Sequence, residues 1–204
     1  MSSQSISAGR PLTLPTQTVG SHATGWWAML VVILNEAVIF TSLIAAYLYI
    51  RFNSPSWPQD GIARPEMTLP IIMTVLLVSA SGFMMFAERG IRGGSLGRLR
   101  AGLLIAALLA VGFLAIQAYE YLHEDFLPST NTYGSLFFTI TGLHGLHVLV
   151  AVLMNIFIQV RAWMGRFNAG RYQAVQNVAL YWHFVDAVWL VIITTLYWST
   201  YWQG

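Results

Sequence analysis

Glu36, Glu120, His144, His147, His183 and Asp186 are the side chains best suited to hold or move a proton, and all six fall inside or at the end of long apolar runs. His183 and Asp186 stand three residues apart in NVALYWHFVDAVWLVIITTLYWSTYW, so a helix places both on one face. His144 and His147 repeat that spacing in TGLHGLHV, and Glu36 follows Asn35 near the middle of another apolar run. A charged carboxylate at the bilayer centre costs about 2.5–3.5 kcal/mol on insertion scales, so such groups face protein, find partners and mark function.

Two kinds of chemistry are open to these residues. A histidine pair can ligate a metal or haem, but a metal site needs further ligands converging on one point. Glu120 and His123 spell the Glu-x-x-His of di-iron bundles; that motif belongs on two helices and occurs here once, at a helix end. Hydrogen bonding between helices by neutral histidines is the preferred reading of His144 and His147, with Gly142 and Gly145 allowing the close approach. No metal or cofactor site and no catalytic residue is expected on this chain. Glu36 is read as a group that exchanges protons or holds a lipid or partner, against the plainer role of a hydrogen-bonding link between helices. For His183 and Asp186 a proton relay and a structural clamp both fit, and they pair with each other or with the fourth helix.

The elements that position these residues follow from composition. Of 204 residues, 56% are hydrophobic and 9% charged, against about 25% charged in soluble domains. This is an integral membrane protein, and a helical bundle satisfies its backbone within lipid. Cysteine is absent, which excludes disulfides and thiolate chemistry. Net charge is +2, too small and too dispersed for a nucleic-acid surface. No phosphate loop, nucleophile motif or dinucleotide fingerprint occurs.

The fold class is all-α: five membrane-spanning helices at about 26–50, 68–87, 101–121, 136–160 and 178–202, forming a domain over 25–204. Residues 1–24 are polar and expected to be a cytoplasmic tail. A Pro- and Gly-rich loop occupies 51–67, and Ser79, Ala80, Ser81 and Gly82 form a small-residue patch suited to helix contact. Trp26, Trp27, Trp57, Tyr181, Trp182 and Trp189 are expected as interface anchors and lipid-facing bulk. Glu124 and Asp125 are expected as solvated charges. Eight arginines (Arg10, Arg89, Arg92, Arg98, Arg100, Arg161, Arg166, Arg171) fall on one side and two (Arg51, Arg64) on the other. The positive-inside rule then places the N-terminus in the cytoplasm and the C-terminus outside.

At these residues the chain resembles subunit III of the haem–copper respiratory oxidases. The matching stretches are QAYEY at 117–121, YGSLFF at 133–138, TGLHGLHV at 141–148, YWHFVD at 181–186, VWL at 188–190 and LYW at 196–198. Asn35-Glu36 with AYLY at 46–49 is similar to that family's carboxylate helix. Several motifs in register on separate helices carry far more than any one alone.

The resemblance implies a subunit with no redox centre of its own, haem and copper residing in partner subunits. It implies packing against subunit I, contact with subunit II and a small subunit IV, bound phospholipid, and support of stability and proton uptake in a bacterial cytochrome c oxidase of the plasma membrane. Glu36 would be the carbodiimide-reactive intramembrane carboxylate, and Glu120, His144, His147, His183 and Asp186 the family's other polar positions. The larger family form has two helices ahead of the carboxylate helix. Residues 1–24 are too short and polar to supply them, so the short five-helix bacterial form is implied, with a neighbouring subunit or an extension of subunit I in their place. Rival readings are an accessory subunit of a quinol oxidase or nitric oxide reductase, and a small independent proton-coupled transporter. The transporter class favours repeats and broken helices, and neither is seen.

Overall fold

The computed structural model describes residues 24–59, 62 and 65–201. The expected tail apart from Thr24, together with Arg10, Arg64 and the expected end of the last span at Trp202, lies outside the described residues.

Among the described residues, five helices are long and apolar enough to cross a membrane: α1 (Thr24–Asn53), α2 (Thr68–Arg92), α3 (Leu96–His123), α4 (Thr132–Trp163) and α5 (Gln173–Ile192), the last together with the turns that follow it. α5 continues through a π-helical turn (Ile193–Tyr197) into a 3-10 turn (Trp198–Tyr201). Several helices run beyond the bounds expected from hydropathy alone. The arginine-rich stretch 88–100, which falls between the helices expected at 68–87 and 101–121, is helix at both ends and turns through Gly93–Ser95. Gly94 takes φ +78° there, a conformation open to glycine. The Ser95 N–H closes the turn on the Gly90 carbonyl at 2.9 Å. Ser95 Oγ then caps α3 by accepting from the Arg98 N–H, and Asn131 Oδ1 caps α4 by accepting from Gly134 at 2.9 Å. Arg89, Arg92 and Arg98 are exposed at the helix ends, which hold a solvated cation as readily as a loop does, while Arg100 donates to the Ala162 carbonyl of α4.

Glycine sets how close the helices come. A Cβ on Gly102 would stand 2.7 Å from the Phe83 carbonyl oxygen and 2.9 Å from the Ala87 nitrogen, so α3 lies directly against the α2 backbone. Gly145 plays the same part between α4 and α3, where a Cβ would collide with the Gln117 amide. The small-residue patch on α2 divides: Ala80 is buried, Ser81 half-buried, and Ser79 and Gly82 face outward.

Trp189 stands at the centre of the bundle. Its ring meets Phe113 of α3 edge-on at 4.9 Å and His144 of α4 at 5.1 Å, while its indole N–H donates to Thr74 Oγ1 of α2 at 2.9 Å. Trp57, Tyr181 and Trp182 are also buried. This corrects the expectation of lipid-facing anchors for four of the six named aromatics; Trp27 is exposed and Trp26 half-buried. An aromatic near the end of an apolar run reads as an anchor, but the helix face it occupies decides its burial.

α1 is the peripheral helix, burying only Phe40, Tyr47 and Arg51. It runs parallel to α5 and is tied at both ends, by Asn177 donating to the Gly25 carbonyl at 3.1 Å and by Arg51 donating to the Ser199 hydroxyl and carbonyl. The two helices therefore begin at one end of the bundle and finish at the other.

Candidate functional site

The tie in the middle of α1 is Glu36. Its Oε2 lies 2.8 Å from His147 Nε2 on α4. The other ring nitrogen of His147, Nδ1, lies 2.7 Å from the Leu143 carbonyl oxygen one turn back on its own helix. A carbonyl only accepts, so Nδ1 carries a hydrogen. One further proton is then shared across the Nε2–Oε2 contact: a neutral carboxyl donates to imidazole, or an imidazolium donates to carboxylate. Phe40, one turn after Glu36, packs edge-on against the His147 ring at 5.0 Å. The pair borders a cleft of about 480 Å³ lined by Met29, Val32, Leu143, Leu146, Val150, Met154 and Tyr181. A second cleft of about 450 Å³ adjoins it through Met29 and Met154 and reaches Asn177. Together they form an apolar trough beside α1 with one protonatable pair along it.

His183 and Asp186 are joined by a residue of α2. Ser81 Oγ donates to Asp186 Oδ2 and lies 2.7 Å from His183 Nδ1. Among the described residues neither bonds to the fourth helix, and their link to each other runs through the serine. Ser81 had drawn notice only for its small size; a hydroxyl facing a carboxylate across two helices leaves no mark in local sequence.

His144 and His147 do not act as a pair. His144 is fully buried, with Nε2 3.2 Å from the Val185 carbonyl oxygen of α5, and its ring packs against both Phe113 and Trp189. Glu120 and His123 also part. Glu120 is buried and accepts from the Tyr197 hydroxyl at 3.2 and 3.3 Å, whereas His123 is exposed and stacks on Tyr119. Nearby, Gln117 Nε2 donates to the Thr141 carbonyl at 2.7 Å and Tyr121 Oη lies 2.7 Å from Thr141 Oγ1. These contacts place QAYEY, TGLHGLHV and the LYW turn in one polar seam between α3, α4 and the end of α5.

Glu124, just past α3, departs from a freely solvated charge. It is half-buried, and burial first, then Asp125 and Glu66, push its carboxyl above the usual carboxylate range. Asp125 is exposed. Arg51, counted as a loop residue from sequence, sits in the last turn of α1 with 5% of its surface exposed.

Among the described residues no three His, Asp or Glu side chains converge on a point that could hold a metal ion. The site is a set of separate hydrogen-bonded pairs and bridges, each linking two helices.

A family model for cytochrome c oxidase subunit III matches residues 15–202. The chain belongs to the cytochrome c oxidase subunit III family. This subunit III is 34% identical over 170 residues to cytochrome c oxidase subunit 3 of Thermostichus vulcanus, covering 83% of this chain and 84% of that one. It is 36% identical over 163 residues to the subunit 3 of a Synechocystis species, covering 79% and 70%. It is 31% identical over 184 residues to the Drosophila melanogaster subunit 3, covering 87% and 69%. It is therefore a subunit III of a terminal oxidase, a membrane protein whose family works within an oxidase complex. The interhelical polar contacts above lie within the matched region.

Proposed function

We propose that this subunit III serves a bacterial aerobic cytochrome c oxidase that reduces O2 to water and pumps protons, and that it contributes no redox centre. Haem and copper belong to the partner subunits. The chain sits in the plasma membrane with its N-terminus in the cytoplasm, packs against subunit I, and meets subunit II and a small subunit IV. Its task is to stabilise subunit I during turnover, hold phospholipid and sustain proton uptake.

One observation carries this reading: the Glu36–His147 contact beside the apolar trough along α1. Polar groups set within the hydrocarbon depth are retained where they meet protein, lipid headgroups or protons. The trough is apolar over most of its length and suits acyl chains. The remaining polar groups, Glu120, His144, His183 and Asp186, link helices within the chain and support a scaffolding role.

The test is a purified oxidase complex carrying Glu36→Ala. Haem content is expected to match the wild type, while the number of turnovers before inactivation falls several-fold or proton uptake slows. Unchanged turnover lifetime and unchanged proton uptake would remove the proposed role. An optical spectrum with haem a and copper A signals supports the cytochrome c type; their absence from an active complex assigns the subunit to a quinol oxidase or nitric oxide reductase instead.

A further inference from the structure

We infer that the outer face between α2 and α5, centred on His183, seats a transmembrane helix of another oxidase subunit that presents a hydroxyl or side-chain amide to His183 Nε2. This rests on the reading of the chain as part of an oxidase complex and assigns a place on its surface where that complex closes.

The argument begins with one nitrogen. His183 is half-buried, and its Nδ1 is engaged by Ser81. Its Nε2 has no partner among the described residues and is not enclosed by them. The span that carries it runs from Gln173 to Tyr201, 29 residues, with its middle at residue 187. His183 is therefore roughly 6 Å from the middle of the span at about 1.5 Å per residue, well within the half-thickness of about 15 Å of hydrocarbon. Acyl chains offer no hydrogen-bond partner at that depth, so an outward-facing ring nitrogen there is covered by protein.

The chain of hydroxyl, carboxyl and imidazole sets the partner's chemistry. With Asp186 ionised, Ser81 donates to Oδ2 and accepts from His183 Nδ1–H, which leaves Nε2 a lone pair; with Asp186 protonated the donors reverse and Nε2 carries the hydrogen. A hydroxyl or side-chain amide on the visiting helix, able both to donate and to accept, meets Nε2 in either state.

The surroundings admit a helix. Val78 and Met85 lie three and four residues from Ser81, on the side of α2 next to α5, and are exposed. Gly82 beside them is exposed, and a Cβ built on it meets none of the described residues within 4 Å. On α5, Ala187 and Leu190 are exposed on the same side as His183. Small residues flanking a polar atom let a second helix come close enough to bond to it.

The chain has no cysteine, so Gly82→Cys is a unique attachment point. In native membranes, benzophenone-maleimide attached there and irradiated is expected to cross-link to the polypeptide of another oxidase subunit. Adducts with lipid alone would overturn the inference while leaving the proposed function intact. Gly82→Leu adds bulk at an exposed position where a Cβ meets none of the described residues within 4 Å. It is expected to remain in the membrane at wild-type level yet fall at least fivefold in recovery with oxidase purified through a tag on another subunit. Wild-type recovery of that variant would overturn the inference. Failure of the wild-type chain to co-purify with any oxidase subunit would overturn both readings.

Discussion

Glu36 on α1 and His147 on α4 meet at 2.8 Å, and between their two nearest nitrogen and oxygen atoms they share one proton. The contact lies between helices that otherwise touch little, since α1 buries only three side chains in the bundle. Glu36 is therefore both the most unusual group in its span and a main attachment of that span.

Removing either partner strands the other. The two side chains are 24% and 10% exposed, so His147→Ala leaves a carboxyl largely desolvated and unpaired, at a cost of about 1–3 kcal/mol. The loss is expected chiefly in α1, as faster amide exchange of residues 30–45 in the detergent-solubilised complex while α2 and α3 keep wild-type protection. Equal loosening of all five helices would count against a local tie.

Arg51 holds the end of α5. Its guanidinium donates to the Ser199 hydroxyl and carbonyl, and Tyr47, one turn before it, accepts from the Trp57 indole N–H at 3.0 Å. Arg51→Ala gives up charge-assisted bonds worth about 1.5–3 kcal/mol. Limited proteolysis should then cut more rapidly within 193–201; an unchanged cleavage rate would show that the turn is held by other contacts.

Gly102 and Gly97 make a matched pair on α3. Gly102→Ala drives a methyl into the α2 backbone, which a well-packed interface resists by about 1–3 kcal/mol. Gly97→Ala meets nothing within 4 Å and is expected to be neutral or to stabilise by up to about 1 kcal/mol through helix propensity. Thermal unfolding of the two variants should shift in opposite directions or by clearly unequal amounts.

Glu124 supplies a pH dependence. Its carboxyl is raised by burial and by Asp125 and Glu66, so between its unfolded value of about 4.3 and its higher folded value the native state binds the extra proton. Stability from this group is complete below the unfolded value and is lost as pH rises through the folded one. Glu124→Gln cannot ionise, so the melting temperature of the wild type should fall relative to the variant as pH rises from about 4 towards 7. A difference that stays flat across that range would show Glu124 to be unperturbed.

Five apolar stretches of sufficient length, and polar residues within them at helical spacing, were legible in the residue order because hydrophobicity and the 3.6-residue period are local properties. Glu36 could be singled out on the same basis, since a carboxylate amid valine and isoleucine announces its own cost. Its partner could not: His147 is 111 positions away, and nothing near either residue names the other. The same holds for Ser81, an ordinary small residue in the sequence and a bridge between His183 and Asp186 in space.

By itself the sequence determined the membrane setting, the helix count and the family, because these rest on composition, segment length and motifs in register. Only the tertiary structure decided which polar groups meet. It split His144 from His147 and Glu120 from His123, turned Trp189 inward, and left His183 Nε2 facing out. Packing rotates each helix about its own axis to bury glycine against backbone and ring against ring, and that rotation depends on all neighbouring helices at once.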